Sequence, residues 1–148
     1  MLNPSTGQPV SGSDELLLIA GGNYFQKGMA YLVANKLAPV VNARTPDNYE
    51  LREAASNTLL ASEPVGEASD SHDIFAVQLM REPISDSVIL NAYGFSSEGT
   101  AAATYYFTDV LAPNLATIDK AWFVGEWTDR NADKLPASDE LTILASGG

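Results

Sequence analysis

Asp14–Gly22 (DELLLIAGG) and Asp86–Gly94 (DSVILNAYG) align without a gap and share four of nine positions: Asp14 with Asp86, Leu18 with Leu90, Ala20 with Ala92 and Gly22 with Gly94. Nothing else in the chain constrains its fold as much. Each apolar run is short, continuous and closed by glycine, the pattern of a strand buried on both faces. A helical pattern follows each run and ends in Leu-Ala-Pro, at Leu37-Ala38-Pro39 and at Leu111-Ala112-Pro113. The spacing from glycine to leucine is 15 residues in the first and 17 in the second. In the first, Asn23 is a candidate helix cap, and Phe25, Met29, Leu32, Val33 and Leu37 form one apolar face. In the second, Ala103, Tyr106, Phe107, Val110 and Leu111 do the same. Residues 14–39 and 86–113 therefore read as two similar strand–turn–helix units. The C-terminal SDELTILASGG (138–148) echoes SDELLLIAGG (13–22) and reads as another strand of this kind.

The rest of the chain supplies further elements. Residues 1–13, rich in Ser, Gly and Pro, read as a flexible leader. Pro39–Asn42 reads as a short strand. Thr45-Pro46-Asp47 has the chemistry of a helix start, with Thr45 as cap and Pro46 at the first helical position, and Leu51, Ala54, Ala55 and Leu59 continue a helical spacing to about Ser62. Residues 62–72 are polar and turn-like. Asp73–Arg81, Val88–Ala92, Ala121–Val124 and Leu141–Ala145 are strand candidates. Alternating strands and helices predict one α/β domain over 14–148, a mostly parallel sheet of about five to six strands with helices packed on it. Both glycine turns then lie at the carboxyl edge of the sheet, where open α/β folds bind ligands.

Composition narrows the function classes. The 148 residues suit one domain. No apolar run approaches the ~18 residues of a membrane helix, and the N-terminus lacks the basic-then-apolar pattern of a signal peptide. The absence of cysteine excludes disulfides, zinc–thiolate sites and cysteine catalysis. The net charge is −11, from 19 acidic and 8 basic residues. With the basic residues scattered, a nucleic acid is not an expected partner. The acidity suits a solvated surface, and also cation binding.

No catalytic signature stands out. Gly94-Phe95-Ser96-Ser97-Glu98-Gly99 has its second glycine one position too late for the nucleophile elbow G-x-S-x-G. The only histidine, His72, precedes the serines, so a serine hydrolase is the most distant of the readings. Ser96 or Ser97 as a helix cap, with Glu98 on the positive end of the dipole, is the simpler reading. Gly21-Gly22-Asn23 fits neither the dinucleotide nor the phosphate-loop pattern, and Lys27 is misplaced for the latter. Glu67, Asp70, His72 and Asp73 could offer loose calcium ligands without an EF-hand spacing. Trp122, Phe123 and Trp127 read mainly as core, with Trp127 open to an interface role. Asn23, Ser96 and Ser97, at the two turns, are the candidate ligand-binding residues.

The stretch from Ile74 to Leu111 resembles the repeated domain of archaeal surface-layer proteins. The likeness rests on Glu82-Pro83, the strand Val88–Gly94, the turn Glu98-Gly99-Thr100 and the helix begun by Ala101–Ala103. Leu16–Gly22, Asn23 and the helix to Leu37 are similar to the earlier half of such domains, so the resemblance spans about 14–127. It departs at Asn91-Ala92-Tyr93, where the family tends to valine, alanine and glycine, and at Asn23, which follows the glycines without a proline. ILASGG at 143–148 is similar to bacterial cell-wall-binding repeats. The resemblance implies a non-catalytic, extracellular or cell-surface assembly domain that self-associates in a calcium-dependent way and has no catalytic residues. The alternative, drawn from the turns themselves, is a small-molecule- or cation-binding domain.

Overall fold

The computed structural model describes residues 1–10 and 16–148. The aligned pair Asp14/Asp86 and residues 11–13 of the expected leader involve positions outside that set. Among the described residues, β1 (Leu16–Ala20) leads through a glycine turn to α1 (Lys27–Ala34). A meander follows: β2 (Val40–Arg44), β3 (Asn48–Glu53) and β4 (Leu59–Pro64). Then come the long hairpin of β5 (His72–Glu82) and β6 (Ser87–Gly94), and α2 (Ser97–Tyr105). The latter helix continues as a π-helical turn over Tyr106–Leu111 and a 3₁₀ segment over Ala112–Thr117 before β7 (Trp122–Thr128) and β8 (Leu141–Gly147).

The expected mostly parallel sheet does not form. The fold is mainly strands, in two sheets. The larger has the order β1-β6-β5-β7-β8, and only β1 and β6 are parallel neighbours. The smaller, β2-β3-β4, is wholly antiparallel. The reason is connection length. Four residues, Pro83–Asp86, separate β5 from β6. Parallel neighbours need a crossover of a dozen residues or more, so this gap can only close a hairpin. Asp86 takes the left-handed backbone position there, with φ 57°.

The helix expected over residues 45–62 is also replaced, by the β3–β4 hairpin. Thr45 Oγ1 accepts from the Asn48 amide at 2.9 Å, so the residue that resembled a helix cap closes a turn instead. Leu51 and Ala61 pair across the hairpin and bury one face with Val40 against Ile74, Ala76, Tyr93, Trp122 and Val124. That burial outweighs the local helical spacing. Further upstream, α1 is capped not by Asn23 but by Gln26, whose side chain accepts from the Gly28 amide. It ends at Ala34; Lys36, just beyond the cap, has φ 58°, and the Leu37 amide donates back to Leu32 O. The first ten residues fold back on themselves through a Leu2–Pro9 bridge, and Lys27 Nζ donates to Pro4 O at 2.8 Å.

The two similar stretches are the parallel pair. Leu16 faces Val88 and Ala20 faces Ala92, an offset of 72 throughout (88 − 16 and 92 − 20). The same offset aligns their sequences. Three layers result. One face of the five-stranded sheet packs Phe75, Val77, Leu90 and Ala92 against Ala102, Ala103 and Tyr106 of α2 and its extension. The other face is covered by the small sheet and by α1, whose Met29 and Leu32 meet Ile19, Met80 and Ile89.

Candidate functional site

Because β1 and β6 run parallel, their carboxyl ends and the turns that follow lie side by side. A buried polar ladder fixes them. Gln78 of β5 mimics a strand neighbour for Val40, accepting from its amide at 3.0 Å and donating to its carbonyl at 3.1 Å. Its amide also donates to Asn91 Oδ1 at 3.0 Å, and Asn91 Nδ2 donates to the carbonyls of Ile19 at 2.9 Å and Gly21 at 3.2 Å. The ladder satisfies carbonyls that the end of β1 would otherwise leave buried and unpaired.

Between the turns and the β2–β3 connection lies a cleft of about 780 Å³. Gly21 and Gly22 form one wall, Gly94 and Phe95 another, and Arg44 to Tyr49 the third. Five of its lining residues are aromatic: Tyr24, Phe25, Tyr49, Tyr93 and Phe95. The rings of Tyr49 and Phe95 stack at 4.6 Å between centroids, 19° from parallel, and Arg44 lies over Tyr49 at 5.4 Å. Tyr24 and Phe25 stand on the rim, Phe25 at 93% exposure. Tyr93 contributes to the lining from below, and its buried hydroxyl has no hydrogen-bond partner. Burial raises the Tyr93 hydroxyl well above the usual tyrosine range, so it stays protonated.

The second glycine turn is held by a buried acid. Asp73, at 0% exposure, accepts from the Ser96 amide at 2.6 Å and from the Ser96 hydroxyl at 2.7 Å. Ser96 in turn caps α2, accepting from the Gly99 amide at 2.9 Å. Glu63 reaches the same acid from β4. Burial, first, and its hydrogen bond to Asp73, second, push the Glu63 carboxyl up to about 9. Glu63 therefore stays protonated beside Asp73, while His72 Nδ1 lies 3.2 Å from Glu63 Oε2.

Of the three candidate residues, Ser96 alone lines the cleft, and it does so as the cap of α2. Asn23 sits beside the first turn. Its amide donates to Asn42 Oδ1 at 3.1 Å, and its own buried Oδ1 has no partner. Ser97 is exposed, outside the lining, and bonds to Glu98 at 2.6 Å. No histidine hydrogen-bonds to Ser96, whose hydroxyl is engaged by Asp73 and the Gly99 amide. Glu67, Asp70, His72 and Asp73 do not gather: Asp70 pairs with Lys134, and His72 with Glu63. Among the described residues no group of three or more His, Asp or Glu is placed to hold a metal ion, and no helix is long and apolar enough to cross a membrane. Trp127 is fully buried, with Nε1 3.4 Å from Glu140 Oε2, so it belongs to the core and not to an interface. Arg44, Tyr49, Phe95 and Tyr93 escaped the sequence reading. The first two fell in or beside the misread helix. The signal available for Tyr93 was a tyrosine in an otherwise apolar strand.

Comparisons of the chain with protein-family models, with curated proteins and with solved structures found no match.

Proposed function

We propose that this chain is a non-catalytic binding domain whose cleft takes a small planar ligand. The carrying observation is the 780 Å³ aromatic cleft that joins the two glycine turns at the ends of β1 and β6. Its size falls within the ~300–1,000 Å³ of small-molecule sites. The stacked Tyr49 and Phe95 rings, which join two of the walls, and the rings on the rim supply flat apolar surface for a flat partner. Indole is a suitable neutral probe. Titrating it into ¹⁵N-labelled protein should shift the amides of Gly21, Gly94 and Phe95 together, and Tyr49→Ala should weaken that response about tenfold. Shifts scattered over the surface, or unchanged in Tyr49→Ala, would refute the reading.

A second reading, self-association as in a surface-layer-like assembly, draws support from the sheet edges. β1 and β8 are the two edge strands of the larger sheet. Leu16 and Leu18 are 59% and 63% exposed, and Ile143 and Leu144 are also exposed. Neither strand carries the proline or lysine that usually blunts an edge. The strand directions leave β8 antiparallel to β1, so β8 of one copy beside β1 of the next would continue the sheet head to tail. The net charge of −11 opposes such contact, and calcium or salt would screen it. Light scattering of concentrated protein with added calcium should show open-ended growth, suppressed by Leu18→Lys. A monomer at every concentration, with and without calcium, would exclude this mode.

A further inference from the structure

We infer that the ligand of the cleft is an aromatic anion, a planar ring bearing a carboxylate or a similar oxyanion, with Arg44 as its counter-ion. This inference rests on the binding reading above and adds the charge of the ligand.

Arg44 is an exposed cation in a chain with 19 acidic residues, and no carboxylate of the described residues lies within 4 Å of it. Arg52, Arg81, Lys120 and Lys134 each have such a partner; of the four basic residues without one, Lys27, Lys36, Arg44 and Arg130, only Arg44 lines the cleft. Arg44 instead lies over the Tyr49 ring, which fixes the guanidinium beside the stacked wall while leaving its N–H groups available. The guanidinium fork matches two oxygens of one oxyanion. A second, independent observation points the same way. Tyr93 lines the same cleft, is 99% buried, and its hydroxyl has no hydrogen-bond partner. A buried donor left unmade costs about 1–3 kcal/mol, so its natural complement is an acceptor on the ligand. Two unused donors and a stacked ring wall in one cleft describe an acceptor-rich, flat molecule. A neutral hydrocarbon ring would leave both donors unanswered, and a cation would meet Arg44 as a like charge.

Indole-3-acetate and indole-3-acetamide are nearly the same shape and differ in charge, so they isolate the role of Arg44. Calorimetric titration of the full chain should give roughly tenfold tighter binding for the acetate than for the acetamide. Arg44→Gln should bring the ratio of the two affinities close to one, and Tyr93→Phe should weaken the acetate in a chain that stays folded by circular dichroism. Equal affinities for the two, both lost in Tyr49→Ala, would overturn the anion assignment while leaving the cleft as a binding site. Binding of neither would overturn both. A preference for the acetate that survives in Arg44→Gln would also overturn it, by placing the anion elsewhere.

Discussion

Gly99→Ala is expected to destabilise the fold by roughly 2–4 kcal/mol, although alanine is the better helix former. A Cβ at position 99 would lie 1.8 Å from Asp73 Oδ2 and 2.4 Å from Asp73 Cγ. Asp73 has no room to retreat. It is fully buried, and the space a side chain at Gly94 would need is closed by the same carboxylate at 2.7 Å and by the Gly99 backbone at 2.6 Å. Helix propensity favours alanine by up to ~1 kcal/mol. Overpacking opposes it by about 1–3 kcal/mol. Displacing Asp73 from the two Ser96 donors adds about 1–3 kcal/mol, because buried hydrogen bonds are lost. The clash and the lost bonds win. Urea unfolding of Gly99→Ala, Asp73→Ala and the double variant measures the coupling directly. The double variant should lose at least ~1 kcal/mol less than the sum of the two, since the atom that clashes is gone. Strict additivity would show that the glycine is not there to make room for the acid.

The second large effect is a dependence of stability on pH that runs opposite to ordinary acid unfolding. Glu63 keeps its proton in the folded chain up to about 9, against an ordinary value of 4.5. Between those limits the unfolded chain has released a proton that the native chain still holds. Stability from this group is therefore present in full below the unfolded value, falls as pH rises, and is lost as pH passes through the folded value. The slope approaches one proton's worth per pH unit, so the site's contribution at pH 8 should be a few kcal/mol below that at pH 6. Glu63→Gln tests this cleanly. Its amide keeps the size and the donor of the protonated acid, and it cannot titrate. The difference in unfolding free energy between wild type and Glu63→Gln should shift by 2–3 kcal/mol over that interval, with wild type relatively weaker at pH 8. Parallel pH profiles for the two proteins would rule out the shared proton. Because Asp73 also anchors Ser96 on the cleft wall, the cleft should loosen over the same interval.

The sequence carried the parallel pair more clearly than the sheet around it. Leu18 with Leu90 and Ala20 with Ala92 are matched in sequence and are also cross-strand partners. Both strands run into a glycine turn and then a helix, although β1 is an exposed edge and β6 a buried centre. The antiparallel remainder was hidden because β5 is apolar on both faces, as a parallel strand would be. Its pattern runs buried from Asp73 through Gln78. Only the four-residue gap at Pro83 marked the hairpin. The Thr45-Pro46-Asp47 segment misled because cap chemistry and turn chemistry use the same side chains. What decides between them is whether Leu51 finds Val40 and Ala61 across a sheet, which no local window contains.

The site divides along the same line. The two glycine turns were legible, and the fold does bring them together. The third wall was not, because it comes from the segment misread as helix. Asp73 could be seen as a strand start but not as the anchor of Ser96, 23 residues away. Asn91 and Tyr93, where the chain departs from the surface-layer pattern, are a rung of the ladder and part of the cleft lining. Those departures, more than the shared residues, shape the candidate site.

The parallel pair also has a kinetic side. β5 meets β6 across four residues, whereas β1 meets β6 only after the chain between them, some 70 residues, has been gathered in. Loop-closure entropy makes that second encounter roughly 2–3 kcal/mol more costly than the first. Chain entropy thus favours assembly of the β5–β6 hairpin first and docking of β1 last. β1, paired along one side only, can leave with the antiparallel β6-β5-β7-β8 part of the sheet intact. The first wall of the cleft is carried on the segment that arrives latest and leaves most easily, so a ligand seated against Gly21 and Gly22 would tie the end of the folding reaction to its own concentration.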